Sequence, residues 1–280
     1  MKFEEYLSQH HTVQTTKSYQ RVVEKLLFHH PDLNRMKYRD MLMLMNENNL
    51  KSAVQLAAIK KYFDFLVCSN IRNDHPCKQM SVRRERKAIQ FQDLFSAEEL
   101  ELLLKRESRY QMLELRNKCL ISLMVYQGLK PANIEQLKLN DVNLENGTIY
   151  IRITTCTARR IMNLNPLQLT LFHEYFATER CKVLRKSTEK LFVNKTGRAT
   201  NVDSINRMLR PLKALFPERN LNAGTIRQSV ISNWINVSKL RIEDAQILSG
   251  QKWLSSTERY RRRNMEEFVK MINIYFPNFD

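Results

Sequence analysis

Only five glycines and seven prolines are spread through 280 residues. These two residue types break helices and shape tight turns, so their scarcity points to helices joined by short connections. It also leaves no glycine-rich loop that could wrap backbone N–H groups around a nucleotide phosphate. The sequence therefore predicts no ATP dependence, and no cofactor is expected.

The apolar pattern agrees with a helical reading. From Thr12 to His29, Val13, Tyr19, Val22, Val23, Leu26 and Leu27 fall at helical spacing, and Pro31 ends the run. Asp40 to Asn48 reads as a short methionine-rich helix. Leu50 to Cys68 is amphipathic through Val54, Leu56, Ala57, Ile59, Tyr62, Phe63, Phe65 and Leu66. Ser96 with Glu99 three residues later forms a capping-box pattern before Leu100, Leu102, Leu103 and Leu104. Leu113 to Gln127 is almost continuously apolar and is expected to be buried, with Gly128 closing it. Pro131 to Leu137 reads as a short helix with proline in its first turn. Strand signals concentrate in the middle: Thr148–Ile153 and Arg160–Leu164 alternate apolar with polar around a turn at Thr154–Ala158, and Leu191–Val193 reads as a third short strand. From Val202 onward the pattern is helical again. The fold class expected is mainly α with a small antiparallel sheet (α+β). Residues 1–80 form one helical domain, 81–94 a basic linker and 95–280 a second domain ending in an amphipathic helix, Met265–Phe276.

Forty-six Lys and Arg stand against 29 Asp and Glu, a net charge of +17. A chain this basic meets a polyanion, and nucleic acid is the leading candidate. Lys17, Lys51, Lys60 and Lys61 lie on polar helix faces. Arg83, Arg84, Arg86 and Lys87 crowd the linker, where they are placed to cross a DNA backbone. No apolar run approaches the roughly 18 residues of a membrane span. Met1-Lys2-Phe3-Glu4-Glu5-Tyr6 does not read as a signal peptide. Five scattered cysteines without a CxxC pair read as reduced, mostly buried thiols and not as a metal site. The expected location is the cytoplasm, in association with the nucleoid.

The stretch Leu221–Tyr260 carries the chemistry. Arg227 closes Gly224-Thr225-Ile226-Arg227 on a predicted helix that is otherwise apolar (Ile226, Val230, Ile231, Trp234). An arginine there serves as a buried ion pair or as a phosphate clamp. Tyr260 follows 33 residues later, preceded by Arg259 and followed by Arg261, Arg262 and Arg263. All six histidines lie at or before His173. Trp253 reads as a packing residue.

Arginine, then a glycine-bearing turn, then tyrosine resembles the C-terminal half of the tyrosine recombinases, the phage-integrase and Xer-type family. The resemblance extends over nearly the whole chain. Thr15–Tyr19 with Leu26, and Leu56–Leu66 through His75-Pro76, look like the first and last helices of the family's SAM-like core-binding domain. Phe95–Leu100 looks like the opening of its catalytic domain, Arg116–Val142 like the helices bearing its first catalytic arginine, and Gln246–Leu248 with Ser255–Tyr260 like the approach to its nucleophile. The resemblance implies two domains clamping duplex DNA, and a reaction through a 3′-phosphotyrosyl intermediate without metal or nucleotide. It implies a homo-oligomer of two to four copies on DNA, or a hetero-partner recombinase, with the C-terminal helix docked on a neighbour.

The family's catalytic positions carry over unevenly. Gly128-Leu129 is followed by Lys130, where the family has arginine. The hairpin lysine falls near Thr155, with Arg159 and Arg160 the nearest cations. Arg227 matches; the histidine three residues before it is Gly224. Gln251 replaces a histidine or tryptophan, and Tyr260 matches the nucleophile. Two readings follow. One is a site-specific recombination or integration enzyme of a phage or mobile element, with Tyr260, Arg227, Lys130 and Gln251 catalytic and Arg83, Arg84, Arg86, Lys87, Arg159, Arg160, Arg259, Arg261 and Arg262 on DNA. The alternative is a catalytically impaired DNA-binding relative that regulates or partners an active recombinase.

Overall fold

The computed structural model describes residues 2–46, 52–82, 89–106, 110–184 and 187–262, with residues 272, 274 and 275. The chain divides into two compact units, Met1–Ala88 and Ile89–Asp280.

The described residues of the first unit form four α-helices, α1 (Phe3–His10), α2 (Val13–His29), α3 (Tyr38–Asn46) and α4 (Ala53–Cys68). Local chemistry sets their ends. The Thr12 hydroxyl accepts from Thr15 N at the start of α2, Pro31 opens a 3-10 turn after it, and Ser52 and Gln55 form a capping box before α4. Leu7, Val23, Leu33, Met41, Ile59, Phe63 and Leu66 make the core. Val13 and Val54, counted in the apolar stripes, are exposed. Each sits in the first turn of its helix. Among the polar-face lysines, Lys61 pairs with Asp64 at 2.9 Å and Lys60 Nζ donates to Lys78 O.

The second unit opens with α5 (Ala97–Lys105), whose expected Ser96/Glu99 capping box is present. Then come α6 (Glu114–Tyr126) and α7 (Pro131–Gln136). α6 is buried from Cys119 to Val125 without a break, which is why its sequence shows no polar face. A three-stranded antiparallel sheet follows, β1 (Val142–Asn143), β2 (Thr148–Ile151) and β3 (Arg160–Asn163), with Ile149 opposite Met162 and Ile151 opposite Arg160. Ile149, Ile151 and Met162 face the core, while Tyr150 and Ile161 face out. α8 (Pro166–Glu174) runs through a π turn into α9 (Arg180–Val183). α10 (Val202–Leu209), α11 (Ala223–Asn236), α12 (Ile242–Ser249) and α13 (Leu254–Glu258) complete the unit. Among the described residues no helix is long and apolar enough to cross a membrane.

The mainly helical fold with a small antiparallel sheet matches the expectation. Three particulars differ. Leu191–Val193 is not a strand: the segment is flanked by two isolated bridges to different partners, Lys138 with Lys190 and Val193 with Ala199. All three residues are buried, so an apolar run was visible without a ladder behind it. The third strand is instead the two-residue β1, too short to leave a periodic signal. The cysteines are free, but Cys68, Cys156 and Cys181 are exposed and only Cys77 and Cys119 are buried. The linker cations Arg83, Arg84, Arg86 and Lys87 and most of Met265–Phe276 lie outside the described residues. Ile272, Ile274 and Tyr275 are helical and exposed.

Candidate functional site

The site is built around α11. Asn222 caps this helix, its Oδ1 accepting from Gly224 N and Thr225 N while its own N–H donates to Thr225 Oγ1. That fixes the first turn and carries Arg227 into the interior beside Ile226, where it is 5% exposed. Among the described residues no carboxylate meets it. Nη1 donates to Gly128 O at 2.6 Å and Nη2 to Ser249 O at 2.7 Å. Gly128 lies just past α6 and Ser249 ends α12, so the guanidinium draws on carbonyls at the negative ends of two helices. Gly128 adopts φ +59° and packs on Val230, where an added Cβ would come within 3.3 Å of Cγ1. Burial lowers the Arg227 pKa, and the nearby Tyr260 opposes that shift.

Lys130 stands two residues beyond Gly128, at the N-cap of α7, and is half-buried. Its pKa is lowered first by burial, then by the positive charges of Arg227 and Arg160, with Cys156 acting the other way. The loop between β2 and β3 is pinned beside it. Thr154 N donates to Thr157 O, and Asn133 Nδ2 on α7 donates to Thr157 Oγ1 at 2.9 Å. At the far side Ala158 N donates to Gly250 O at 2.9 Å.

Arg160 is the least expected finding. The sequence suggested an exposed phosphate contact. The residue is instead 6% exposed, because it takes an inward position of β3 in phase with Met162. Nη1 donates to Ala158 O, but Nε and Nη2 have no hydrogen-bond partner among the described residues. Burial, reinforced by Arg227, lowers its pKa to about 10. Gly250, with φ +67°, leaves room for it; a Cβ there would meet Arg160 Nη1, and the guanidinium would have to shift.

Tyr260 follows α13. Its ring is buried with Ile231, Ile235, Ile242 and Ala245. Among the described residues its hydroxyl has no hydrogen-bond partner, and it is not among the fully buried unpartnered atoms. Asn236, which the sequence gave no reason to single out, holds the backbone on both sides: its Nδ2 donates to Tyr260 O and its Oδ1 accepts from Arg262 N. Gln251 Oε1 accepts from Thr257 Oγ1 at 2.6 Å, which leaves the amide Nε2 as the group able to donate elsewhere. Arg159, Arg259, Arg261 and Arg262 are exposed. Arg261 pairs with Glu258 and Arg262 lies over the Phe91 ring. Trp253, expected to pack, is 73% exposed at the start of α13. Position 224, with no side chain, is exposed beside the cap.

Four separate segments thus bring Lys130, Arg160 and Tyr260 each within electrostatic reach of Arg227, and Lys130 within reach of Arg160. Among the described residues no carboxylate counts among the groups acting on the three cations. Such a cluster suits an anion that is not part of the chain.

Comparison with known proteins gives a consistent result. Residues 94–267 match the phage integrase family. Tyrosine recombinase XerC of Pelotomaculum thermopropionicum is 26% identical over 257 residues, covering 88% of this chain and 82% of that protein. XerC of Rickettsia prowazekii is 26% identical over 259 residues, with the same coverages. The structure of a XerH site-specific recombinase bound to its difH substrate before cleavage is similar with a TM-score of 0.62 and 21% identity, over 87% of this chain and 72% of that one. A lambda integrase dimer bound to a core site gives a TM-score of 0.66 and 12% identity, over 93% of both chains.

Proposed function

The chain belongs to the phage integrase family, the tyrosine recombinases, and from that premise we propose that it is a site-specific DNA recombinase that cuts and rejoins duplex DNA through Tyr260. The observation that carries this reading is Arg227, in reach of Tyr260 on one side and of Lys130 and Arg160 on the other, with no carboxylate among the described residues to neutralise the three cations. Leaving cations buried and unpaired is costly unless a ligand completes them, and a DNA phosphate does so.

In the proposed reaction the Tyr260 hydroxyl oxygen attacks a backbone phosphorus and forms a 3′-phosphotyrosyl bond, releasing a 5′-hydroxyl. The phosphodiester energy stays in that bond, so a second strand can be joined without metal or nucleotide. Negative charge grows on the phosphoryl oxygens in the transition state. Arg227, whose position is set by two carbonyls, and the Gln251 amide Nε2 are the fixed donors that stabilise it. The exposed Arg159, Arg259, Arg261 and Arg262, with Arg83, Arg84, Arg86 and Lys87, serve the flanking phosphates. The helical unit Met1–Ala88 acts as a second DNA-binding body, and assembly on DNA involves a second copy or a partner recombinase.

A second reading rests on a specific observation. Gly224 leaves no side chain, and so no imidazole, one turn before Arg227, and Tyr260 has no hydrogen-bonded base among the described residues. Missing general acid–base help costs on the order of 10²–10⁴-fold. This favours a relative that occupies DNA sites without cutting them. One experiment separates the two. Duplexes that the protein selects from a random-sequence pool are rebuilt with a nick near the bound centre, incubated with the protein and run on a denaturing gel beside Tyr260→Phe. A covalent band lost in the variant supports the enzyme. Binding with no covalent band in either protein supports the non-cutting relative.

A further inference from the structure

We propose that the groove between α2 and the start of α4 is a binding site for the phosphates of duplex DNA, and that His29 and His30 make its grip depend on pH. The proposal rests on the DNA-binding part of the reading above and not on the cutting reaction.

The groove holds about 700 Å³, more than a single small anion fills, and its polar lining is Arg21, Lys25, His29, His30 and Gln55. No acid is among its described lining residues. Arg21, Lys25 and His29 follow one another at four-residue steps along α2, and Lys17 extends the row by one more. All four are exposed. Four-residue steps lie about 6 Å apart along a helix axis. Such a row meets a chain of phosphates, whereas a small anion engages one end of it. Among the described residues Arg21, Lys25, His29 and His30 enter no ion pair. Gln55 adds a neutral donor. Its Oε1 accepts from Ser52 N at 3.1 Å, which leaves Nε2 as the group able to donate to a phosphate oxygen.

The backbone sets the place of the two imidazoles. His30 closes α2, its N–H donating to Leu26 O at 2.7 Å and its carbonyl accepting from Leu33 N, and Pro31 opens the turn that follows. The His29 ring stands against Phe28, with centroids 5.3 Å apart. Histidine is the side chain whose charge changes between roughly pH 5 and 8. Above that range the groove carries two positive charges, those of Arg21 and Lys25. Below it His29 and His30 bring the number to four. The phosphodiester keeps its negative charge throughout. Bound phosphate favours the protonated rings, so affinity rises as pH falls through the range and is lost again as pH rises.

Neighbouring charges do not cancel this change. α1, the 3-10 turn and α4 pack against α2. They carry Glu4, Glu5 and His10, then Asp32 and Arg35, then Lys60, Lys61 and Asp64, while α2 itself adds Glu24. None of these lines the groove. Asp64 is engaged by Lys61 and Glu24 by Gln20. Carboxylates ordinarily stay ionised above about pH 5, so the charge that changes here belongs to the histidines.

The test measures binding of the full chain to the duplex it selects, at about pH 8 and about pH 5.5, over a series of salt concentrations. The wild type is expected to bind about 10-fold more tightly at the lower pH, with log K falling more steeply against log salt by about 1–2. His29→Gln with His30→Gln is expected to keep the affinity of the higher pH and to lose most of the gain. His29→Lys with His30→Lys carries fixed charges and is expected to hold the tighter affinity at both pH values. His10→Gln, on α1, is the control and should respond as the wild type does. Matching circular dichroism and Tm show that each variant is folded. A wild type with one slope at both pH values overturns the proposal, as does a glutamine variant that gains as much as the wild type; either result leaves DNA binding and cutting intact. Wild-type protein that binds no duplex at either pH removes the DNA-binding reading and this site together.

Discussion

A guanidinium buried with two unpartnered N–H groups is a cost that the free protein carries until a ligand arrives. Arg160 is in that state. Arg160→Met keeps most of the volume and removes the charge. It is expected to stabilise the free protein by about 1–3 kcal/mol in urea denaturation while abolishing detectable covalent product. A loss of stability would mean that the chain already satisfies this residue. Arg227 differs although it is equally buried, because two carbonyls hold it. The sequence left a choice for Arg227 between an ion pair and a clamp, and the structure shows carbonyl anchors with no acid among the described residues. Arg160 left a readable trace, a charged residue in the inward phase of an alternating strand. Its reading as a DNA contact came from its place beside the hairpin turn when the strand period carried more information. Trp253 shows the opposite failure. Aromatic residues are usually covered, but nothing local says that the turn before α13 faces out.

At the scale of the element, ends were legible where a side chain caps its own helix. Ser96 with Glu99, and Thr12 before α2, act over three residues, so the sequence contains the whole interaction. The run Leu191–Val193 shows what the sequence lacks. Burial makes a segment apolar, but whether it joins a ladder depends on a partner strand elsewhere in the chain. The turn from α12 into α13 is where element and site meet. Gly250→Ala places a Cβ against Arg160 Nη1 and 3.1 Å from Ala158 O, in a left-handed conformation that costs about 1–2 kcal/mol for any other L-residue. Gly147→Ala is the control, since φ there is +61° and the new Cβ meets only Leu169 methyls at 3.8 and 4.0 Å. Both variants should lose the stability that the left-handed conformation costs, Gly250→Ala somewhat more for its tighter contacts, and only Gly250→Ala should lose cleavage. Equal activity in the two would show that Gly250 serves the turn and not the placement of Arg160.

Over the whole molecule the net charge of +17 sets the response to salt. If six to ten phosphates are contacted, affinity for duplex DNA should fall about 10³–10⁵-fold between roughly 50 and 200 mM salt. A filter-binding series measures this, and a flat series would contradict extended contact with the backbone. The sequence by itself determined the helices, the hairpin, the basic character and the family likeness. Each depends on residues within a few positions of one another or on simple composition. Only the tertiary structure decided that Lys130, Arg160 and Arg227 act on one another, that no carboxylate among the described residues joins them, and that Arg227 is held by the carbonyls of Gly128 and Ser249. The physical reason is that backbone carbonyls are common to every residue and leave no mark in a sequence. Where a buried cation finds its partners, or finds none, is settled by chain segments that only folding brings together.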